Sequence, residues 1–308
     1  MADISAKSVM ELRQKTGCGM MECKKALVTA NGDFDEAVKI LREKGLSVAA
    51  KKADRIAADG VVDVLTDNGV TAIVEVNSET DFVAKNASFK EFVRGILKTI
   101  IDGEPKDVPS LMAMNFAGKD TTVEAELKNE IFTIGENMSI RRFDIIKGVT
   151  GTYIHGGGAA GVVAKFEVTG GIENTDGFKE YAKNICMQIA AMNPIYVCKC
   201  CVPESVIQSE KDILEAQIKN DPKLSGKPAQ IIAKMVDGRI SKYYDTNCLN
   251  EQAYVREEDM KVSQYTEKTA KELGGSIKIV SFVKYEKGEG IEKKEDDFAS
   301  EIEKLVKG

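Results

Sequence analysis

Apolar residues recur at helical spacing in three short segments near the start of the chain. The segments are residues 5–15, 20–30 and 33–44. Gly17 and Gly32 separate them, and Gly45 is predicted to end the third helix. We therefore predict a three-helix module followed by a solvated helical linker over residues 48–58.

The middle of the chain repeats a strand, turn, strand and helix pattern. The first copy comprises residues 60–65, a turn at residues 68–69, residues 70–76 and a helix over 89–101. The second comprises residues 148–154, a turn at 156–158, residues 161–168 and a helix over 178–191. Phe89 and Phe178 begin the matching helices, and residues 276–285 are a candidate third strand for the second sheet. The repetition predicts a duplicated core in which each antiparallel sheet packs one face on helices.

A helical hairpin is predicted between the second copy and its third strand. Apolar residues recur at helical spacing over residues 204–219 and from Ile232 to Ile240, with Pro222 and Gly226 between them. Neither stripe spans enough heptads for a long coiled coil, so the hairpin is either a self-association arm or a local decoration. Residues 296–306 are predicted to form a short terminal helix.

These elements place the chain in the α+β class and divide it into five parts. The parts are an N-terminal helical module with its linker at residues 1–57, a first core subdomain at 58–145, a second at 146–203 plus 244–287, the hairpin at 204–243, and a C-terminal module at 288–308.

Composition restricts the classes of function. The 308 residues include 43 basic and 49 acidic side chains, giving a net charge of -6, and the mixing of both signs disfavours a primary nucleic-acid binder. The apolar runs are too short to span a bilayer, and the first residues resemble neither a signal nor a transit peptide, so we expect a soluble, cytoplasmic bacterial protein. The odd count of seven cysteines predicts reduced thiols rather than a disulfide framework.

Two short motifs offer candidate chemistry. His155 and the three glycines after it resemble the oxyanion loop of some esterases, but the chain has no Gly-x-Ser-x-Gly motif and no other histidine, so we predict a hairpin turn. Cys198, Cys200 and Cys201 offer thiolates to a metal, yet their spacing lacks paired Cys-x2-Cys knuckles. On that spacing we predict no stoichiometric metal and no cofactor.

Two further stretches are candidates for protein contacts. Met20 and Met21 begin the second helix, where helical spacing favours a core position, although the pliable methionine side chain also suits a partner surface. Residues 75–86 form a loop or turn in which Phe82 and Val83 either plug the core or protrude. A protruding ring beside a carboxylate can wedge into a partner while the charge disturbs a bound Mg²⁺ and phosphate.

Four blocks of the chain resemble the translation elongation factor Ts family. They are residues 12–27, with Thr-Gly-Cys-Gly-Met-Met at their centre; residues 76–86, with Thr-Asp-Phe-Val; residues 134–142, Ile-Gly-Glu-Asn-Met-Ser-Ile-Arg-Arg; and residues 288–293, Gly-Glu-Gly-Ile-Glu-Lys. The blocks run in family order across essentially the whole chain. The resemblance implies a ubiquitin-associated-like N-terminal module, a core of two subdomains, a helical-hairpin dimerisation insert and a C-terminal helix.

The resemblance also implies a function, namely guanine-nucleotide exchange on elongation factor Tu, with no chemistry performed by this chain itself. In the family, the segment matching Thr80, Asp81, Phe82 and Val83 disturbs the Mg²⁺ site of the GTPase. Met20, Met21 and His155 match positions that contact the partner, and residues 204–243 match a contact between two copies. Neither direct nucleic-acid binding nor membrane binding is expected. The alternative is a protein-binding scaffold that acts through residues 1–45 without catalysing exchange.

Overall fold

The computed structural model describes residues 4–221, 224 and 227–292. The predicted terminal helix over residues 296–306, and Pro222 and Gly226 of the predicted hairpin turn, lie outside these residues. The chain is an α+β protein, as predicted.

Three helices open the chain. They are α1 (Ala6–Thr16), α2 (Met20–Thr29) and α3 (Phe34–Lys52). The Asp33 carboxylate accepts a hydrogen bond from the Glu36 amide at 2.8 Å and so caps α3. Leu12 and Leu27 are fully buried between the helices, which confirms the predicted helical module.

The third helix is longer than the sequence indicated. Gly45 was predicted to end it, and this is wrong, because α3 continues to Lys52. An added Cβ at Gly45 would lie 3.6 Å from the Cβ of Phe132, so the residue faces a second helix. Ala49 is buried in the core of the first sheet, and the stretch predicted as a solvated linker is therefore partly packed. Tertiary packing offsets the low helix propensity of glycine here.

The first sheet has the order β1-β2-β3 and is antiparallel throughout. Its strands are β1 (Asp59–Asp67), β2 (Val70–Ser78) and β3 (Met138–Lys147). Between β2 and β3 lie α4 (Asp81–Lys85), α5 (Ala87–Gly103), α6 (Val108–Ala113) and α7 (Val123–Ile134). The predicted turn at Asn68-Gly69 is present, with both residues at positive φ. Phe89 is fully buried where α5 crosses the sheet.

The second sheet repeats this arrangement with the order β4-β5-β8. Its strands are β4 (Val149–His155), β5 (Ala160–Thr169) and β8 (Ser276–Glu286). Against it pack α8 (Asp176–Met192) and α11 (Val262–Leu273), and Phe178 is buried at the start of α8. The third strand was therefore assigned correctly. A short hairpin, β6 (Ala253–Tyr254) with β7 (Glu257–Lys261), precedes α11.

The predicted helical hairpin is also confirmed, as α9 (Glu204–Asn220) and α10 (Ala229–Asn247). Ile218, Val236 and Ile240 form its small core. Ile213 and Ile231 remain exposed on its outside.

The two sheets share a hydrophobic cluster of Val62, Ile73, Val163 and Tyr285. The turn between β4 and β5 also docks on β1, because the Val62 amide donates to the Gly158 carbonyl at 2.8 Å. Apolar contacts and a backbone hydrogen bond thus join the two sheet-and-helix units.

Candidate functional site

The segment Thr80 to Val83 opens a short helix rather than a loop. Thr80 is the N-cap of α4, and Phe82 and Val83 within the helix differ in burial. The Phe82 side chain is 79% exposed, whereas Val83 is 6% exposed and belongs to the core of the first sheet. Of the two interpretations left open for this pair, the core plug holds for Val83 and protrusion holds for Phe82.

Hydrogen bonds from both sides of its N-terminus fix α4 in place. The Thr80 amide and hydroxyl both donate to the Glu136 carboxylate, at 2.9 and 2.7 Å. The Ser78 hydroxyl donates to the Thr80 carbonyl at 2.9 Å, and Glu79 accepts from the Asn137 amide at 2.6 Å. Residues just before β3 therefore hold the exposed ring in a defined position.

The charges beside Phe82 are paired. Lys85 donates to the Asp81 carboxylate at 2.5 Å, and its ammonium nitrogen lies 5.9 Å from the centre of the Phe82 ring. The hydrogen bond from Lys85 holds the pKa of Asp81 below its usual value, so the carboxylate is ionised at neutral pH. The surface of α4 presents an aromatic ring flanked by one anion and one cation.

A buried carboxylate lies in the strand that leads to this helix. Glu75 is fully buried and accepts from Arg141 at 3.0 Å, from Arg142 at 2.6 Å and from the Gly288 amide at 2.7 Å. Burial raises the pKa of Glu75, but these donors and Asn77 outweigh it and leave the pKa below its usual value. The cluster ties β2 to β3 and to the segment after β8.

Sequence reasoning missed the roles of Glu75 and Glu136. The adjacent pair Arg141-Arg142 was a usable signal, because two guanidinium groups in a strand-length segment require nearby acceptors.

Met20 and Met21 lie on the surface of α2, with exposures of 48% and 62%. The core position that helical spacing favoured is wrong. The buried face of this ten-residue helix begins at Cys23 and continues through Ala26 and Leu27, so Met20 and Met21 lie beyond the end of the core. Both methionines are therefore available to a partner.

His155 ends β4 at an exposed position, and its Nδ1 lies 3.1 Å from the Tyr153 hydroxyl. The three glycines after it all have positive φ and form the predicted hairpin turn. His155 also lines a shallow cavity of about 270 Å³ together with Met187 and Arg256. The site residues predicted from the sequence thus lie on three elements: α2, α4 and the end of β4.

The cysteines near residue 200 differ from expectation. All thiols were predicted to be reduced, but Cys198 and Cys200 form a disulfide. The turn of 3-10 helix over Lys199–Cys201 brings their Cα atoms to 5.3 Å, within the roughly 4.4 to 6.8 Å that a disulfide spans. Five cysteines are free: Cys18, Cys23, Cys186, Cys201 and Cys248.

Known proteins resemble this chain over nearly its whole length. Residues 79–289 match the family model of elongation factor Ts. Elongation factor Ts of Clostridium kluyveri is 46% identical over 311 residues, covering 99% of this chain and 99% of the relative. Those of Syntrophotalea carbinolica and Clostridium tetani are each 45% identical and cover 99% and 98% of this chain, and 99% of their own length. The chain belongs to the elongation factor Ts family.

Membership of the elongation factor Ts family makes the chain a translation elongation factor. The family match begins one residue before Thr80 and includes α4, His155 and both helices of the hairpin. Met20 and Met21 precede the matched residues, although the full-length relatives cover them. Among the helices of the described part of the chain, none has the length and apolar character needed to cross a bilayer.

Proposed function

We propose that this protein is a guanine-nucleotide exchange factor for elongation factor Tu, and that α4 promotes GDP release by disturbing the Mg²⁺ and phosphate site of the GTPase. The exposure of Phe82 carries the proposal. No other large apolar side chain in the described residues is as exposed as its ring. A ring this exposed on a well-anchored helix is typical of a residue kept for a partner.

The anchoring of α4 supports a wedge. Because Glu136 and the strand end fix Thr80, little conformational entropy is lost when Phe82 inserts between side chains of the GTPase. Val83 and Ala84 of the same helix are buried in the core of the first sheet, which holds α4 against the sheet when the ring inserts.

The charge pair supports the second half of the proposal. Asp81 is ionised and lies one residue from the ring, so insertion of Phe82 carries a negative charge toward the phosphates and metal of the partner. A carboxylate there repels phosphate and competes for Mg²⁺. Lys85 neutralises Asp81 in the free protein, and its release would expose the carboxylate on binding.

Nucleotide exchange of this kind requires no covalent chemistry from the exchange protein. A protein that binds the nucleotide-free GTPase more tightly than the GDP form must weaken GDP binding by the same factor. The chain then accelerates GDP release and allows GTP to enter, and the enzyme of the pair is the GTPase.

Three other surfaces take part in the proposal. Met20 and Met21 of α2, and His155 at the end of β4, contact the GTPase away from its Mg²⁺ site. The hairpin at residues 204–243 provides a contact between two copies, for which the exposed Ile213 and Ile231 are the apolar candidates. We place the protein in the cytoplasm, with no direct role for nucleic acid or membrane.

Release of labelled GDP from purified elongation factor Tu tests the proposal. Wild-type protein should accelerate release, and Phe82→Ala should lose most of the acceleration. The matched control is Ile56→Ala, which truncates another exposed apolar side chain outside α2, α4 and the hairpin. Unchanged GDP release in the presence of wild-type protein would overturn the proposal.

The alternative, a scaffold without exchange activity, is favoured by one observation. The N-terminal module exposes Met10, Met20, Met21 and Val28, which is unusual for so small a helical unit. Binding to elongation factor Tu that depends on these side chains, together with unaltered GDP release, would support the scaffold.

A further inference from the structure

Three cysteine sulfurs converge just before the hairpin, at the turn that joins α8 to α9. Cys198, Cys200 and Cys201 place their Sγ atoms within 4.8 Å of one another. The Cys201 amide donates to the Cys198 carbonyl at 3.0 Å, which closes the turn and fixes the spacing of the three residues. Cys200 and Cys201 are exposed, so a solute can reach the cluster.

The sequence alone disfavoured a metal here because the spacing lacks paired knuckles. That expectation assumed that ligands must come from two separate turns. The structure shows instead that one turn of 3-10 helix gathers all three sulfurs. An all-thiolate donor set selects soft cations such as Zn²⁺ or Cu⁺ over Mg²⁺ or Ca²⁺.

The groups around the turn are compatible with a cation. The ammonium of Lys199 lies 3.1 Å from Glu251 and 5.6 Å from the centre of the Tyr244 ring, so its charge is already compensated. The backbone of Cys248 pairs with that of Tyr196, two residues before Cys198, so the end of α10 lies beside the turn.

We propose that Cys198, Cys200 and Cys201, once the disulfide is reduced, form a binding site for one thiolate-preferring metal ion, namely Zn²⁺. Reduction adds two electrons and two protons to the disulfide, which a phosphine and water supply in vitro as the phosphine becomes its oxide. Zn²⁺ then displaces three thiol protons and forms three Zn–S bonds, leaving a site with one net negative charge. Water completes the tetrahedron.

The site would also be a structural clamp. The turn lies three residues before α9 begins, and the Tyr196–Cys248 bridge joins it to the end of α10. Binding of Zn²⁺ to the folded chain stabilises it by mass action, so the melting temperature should rise with zinc concentration.

The test uses full-length protein reduced with a phosphine under anaerobic conditions. Zn²⁺ is titrated against a chromophoric chelator, and Co²⁺ serves as an optical probe of thiolate coordination. We expect one equivalent of Zn²⁺ per chain and sulfur-to-cobalt charge-transfer absorption. Cys201→Ser should weaken Zn²⁺ binding by at least about 100-fold, since even loss of a supporting group costs about 10- to 100-fold. Lys199→Ala keeps all three thiols and should bind like wild type.

A variant with serine at positions 198, 200 and 201 gives the decisive comparison, because it keeps the other four cysteines. If it takes up as much Zn²⁺ as the reduced wild type, or if X-ray absorption finds fewer than three sulfurs around zinc, the site does not exist. Cys201 is exposed and outside the disulfide, so Cys201→Ser keeps the test valid if the triple variant does not fold. Normal zinc binding by a folded Cys201→Ser variant would overturn the proposal equally.

Discussion

The two sheet-and-helix units share their topology and differ where the second strand passes into the helix. In the first unit, β2 leads into α4, which exposes Phe82. In the second, β5 leads into a 3-10 turn, Ile172–Asn174, whose first residue is 2% exposed. One junction carries its apolar side chain outward and the other buries it, so only the first is equipped to reach a partner.

The two junctions dock at corresponding places by different means. Each packs against the residues just before the third strand of its sheet. In the first unit, Thr80 hydrogen-bonds to the side chain of Glu136. In the second, Gly170 lies against bare backbone, and an added Cβ would come within 3.0 Å of the Gly274 carbonyl oxygen. A side-chain anchor leaves space for a helix beside it, whereas backbone-to-backbone packing closes the junction.

The strands leading to the junctions differ as well. Each second strand carries an irregularity in its pairing with the third strand, after Glu75 in β2 and after Lys165 in β5. Glu75 is fully buried among arginines, while Lys165 is half-buried. The first unit thus has a buried charge cluster where the second has a partly solvated lysine.

The largest expected effect separates these two positions. Glu75→Gln should destabilise the protein by roughly 3 to 5 kcal/mol, because it removes the fully buried anion that pairs with two partly buried arginines. Lys165→Gln should cost about 0.5 kcal/mol or less. Urea unfolding at neutral pH measures both, and equal losses for the two variants would contradict the difference drawn between the units.

The pH dependence sharpens the same comparison. The pKa of Glu75 in the folded protein lies below the usual 4.5, so its contribution to the free energy of unfolding is complete above that value. It is lost as the pH falls through the folded pKa. The difference in stability between wild type and Glu75→Gln should therefore shrink between neutral and strongly acidic pH. A constant difference would mean that the charge of Glu75 contributes nothing.

Truncation of one apolar side chain at each junction should affect stability in the second unit and GDP release in the first. Ile172→Ala removes a buried side chain and should cost roughly 2 to 5 kcal/mol of stability. Phe82→Ala should leave the melting temperature nearly unchanged. It should raise the activation free energy of factor-promoted GDP release by about 2 kcal/mol, which makes release roughly 30-fold slower. Strong destabilisation by Phe82→Ala would show that the ring supports the fold and that the contrast between the junctions is false.

The smallest expected effect concerns the charge of α4. Asp81→Asn should slow GDP release most at high Mg²⁺ and least when the metal has been chelated. Lys85→Met keeps the carboxylate and removes its cation, so release should be as fast as with wild type or faster. Identical Mg²⁺ dependence for wild type and both variants would restrict the role of α4 to the ring.

The sequence pattern predicted the third strand of the second sheet but not the third strand of the first sheet. The strand Ser276–Glu286 was placed in the second sheet because β-branched and aromatic residues dominate it. Met138–Lys147 was missed as a strand, since Arg141, Arg142 and Asp144 interrupt its apolar pattern. Both arginines pair with Glu75, which lies 66 and 67 residues away in sequence, and Arg142 also pairs with the still more distant Glu289. Local sequence does not report a partner so distant.

The same limit applies to the site. The position of residues 75–86 between a strand and a helix predicted a loop or turn, but Phe82 and Val83 are both apolar, and only the contacts of α4 separate the exposed ring from the buried valine. For Met20 the helical period and the face were correct, since Cys23 and Leu27 on the same stripe are buried, but a period does not state how far along a short helix the core extends. The division of the chain into five parts stays a prediction.

The hydrogen bond from Val62 to Gly158 has a consequence for how the proposed contacts act together. It connects the turn that follows His155 to the first sheet, from which α4 and Phe82 extend. Two contacts on one stiff body meet a partner at a fixed separation, so engagement of the first raises the effective concentration of the second. A GTPase whose domains change their spacing between nucleotide states would match both contacts at once in one state only. The distance between the two contacts, as much as their chemistry, would then select that state.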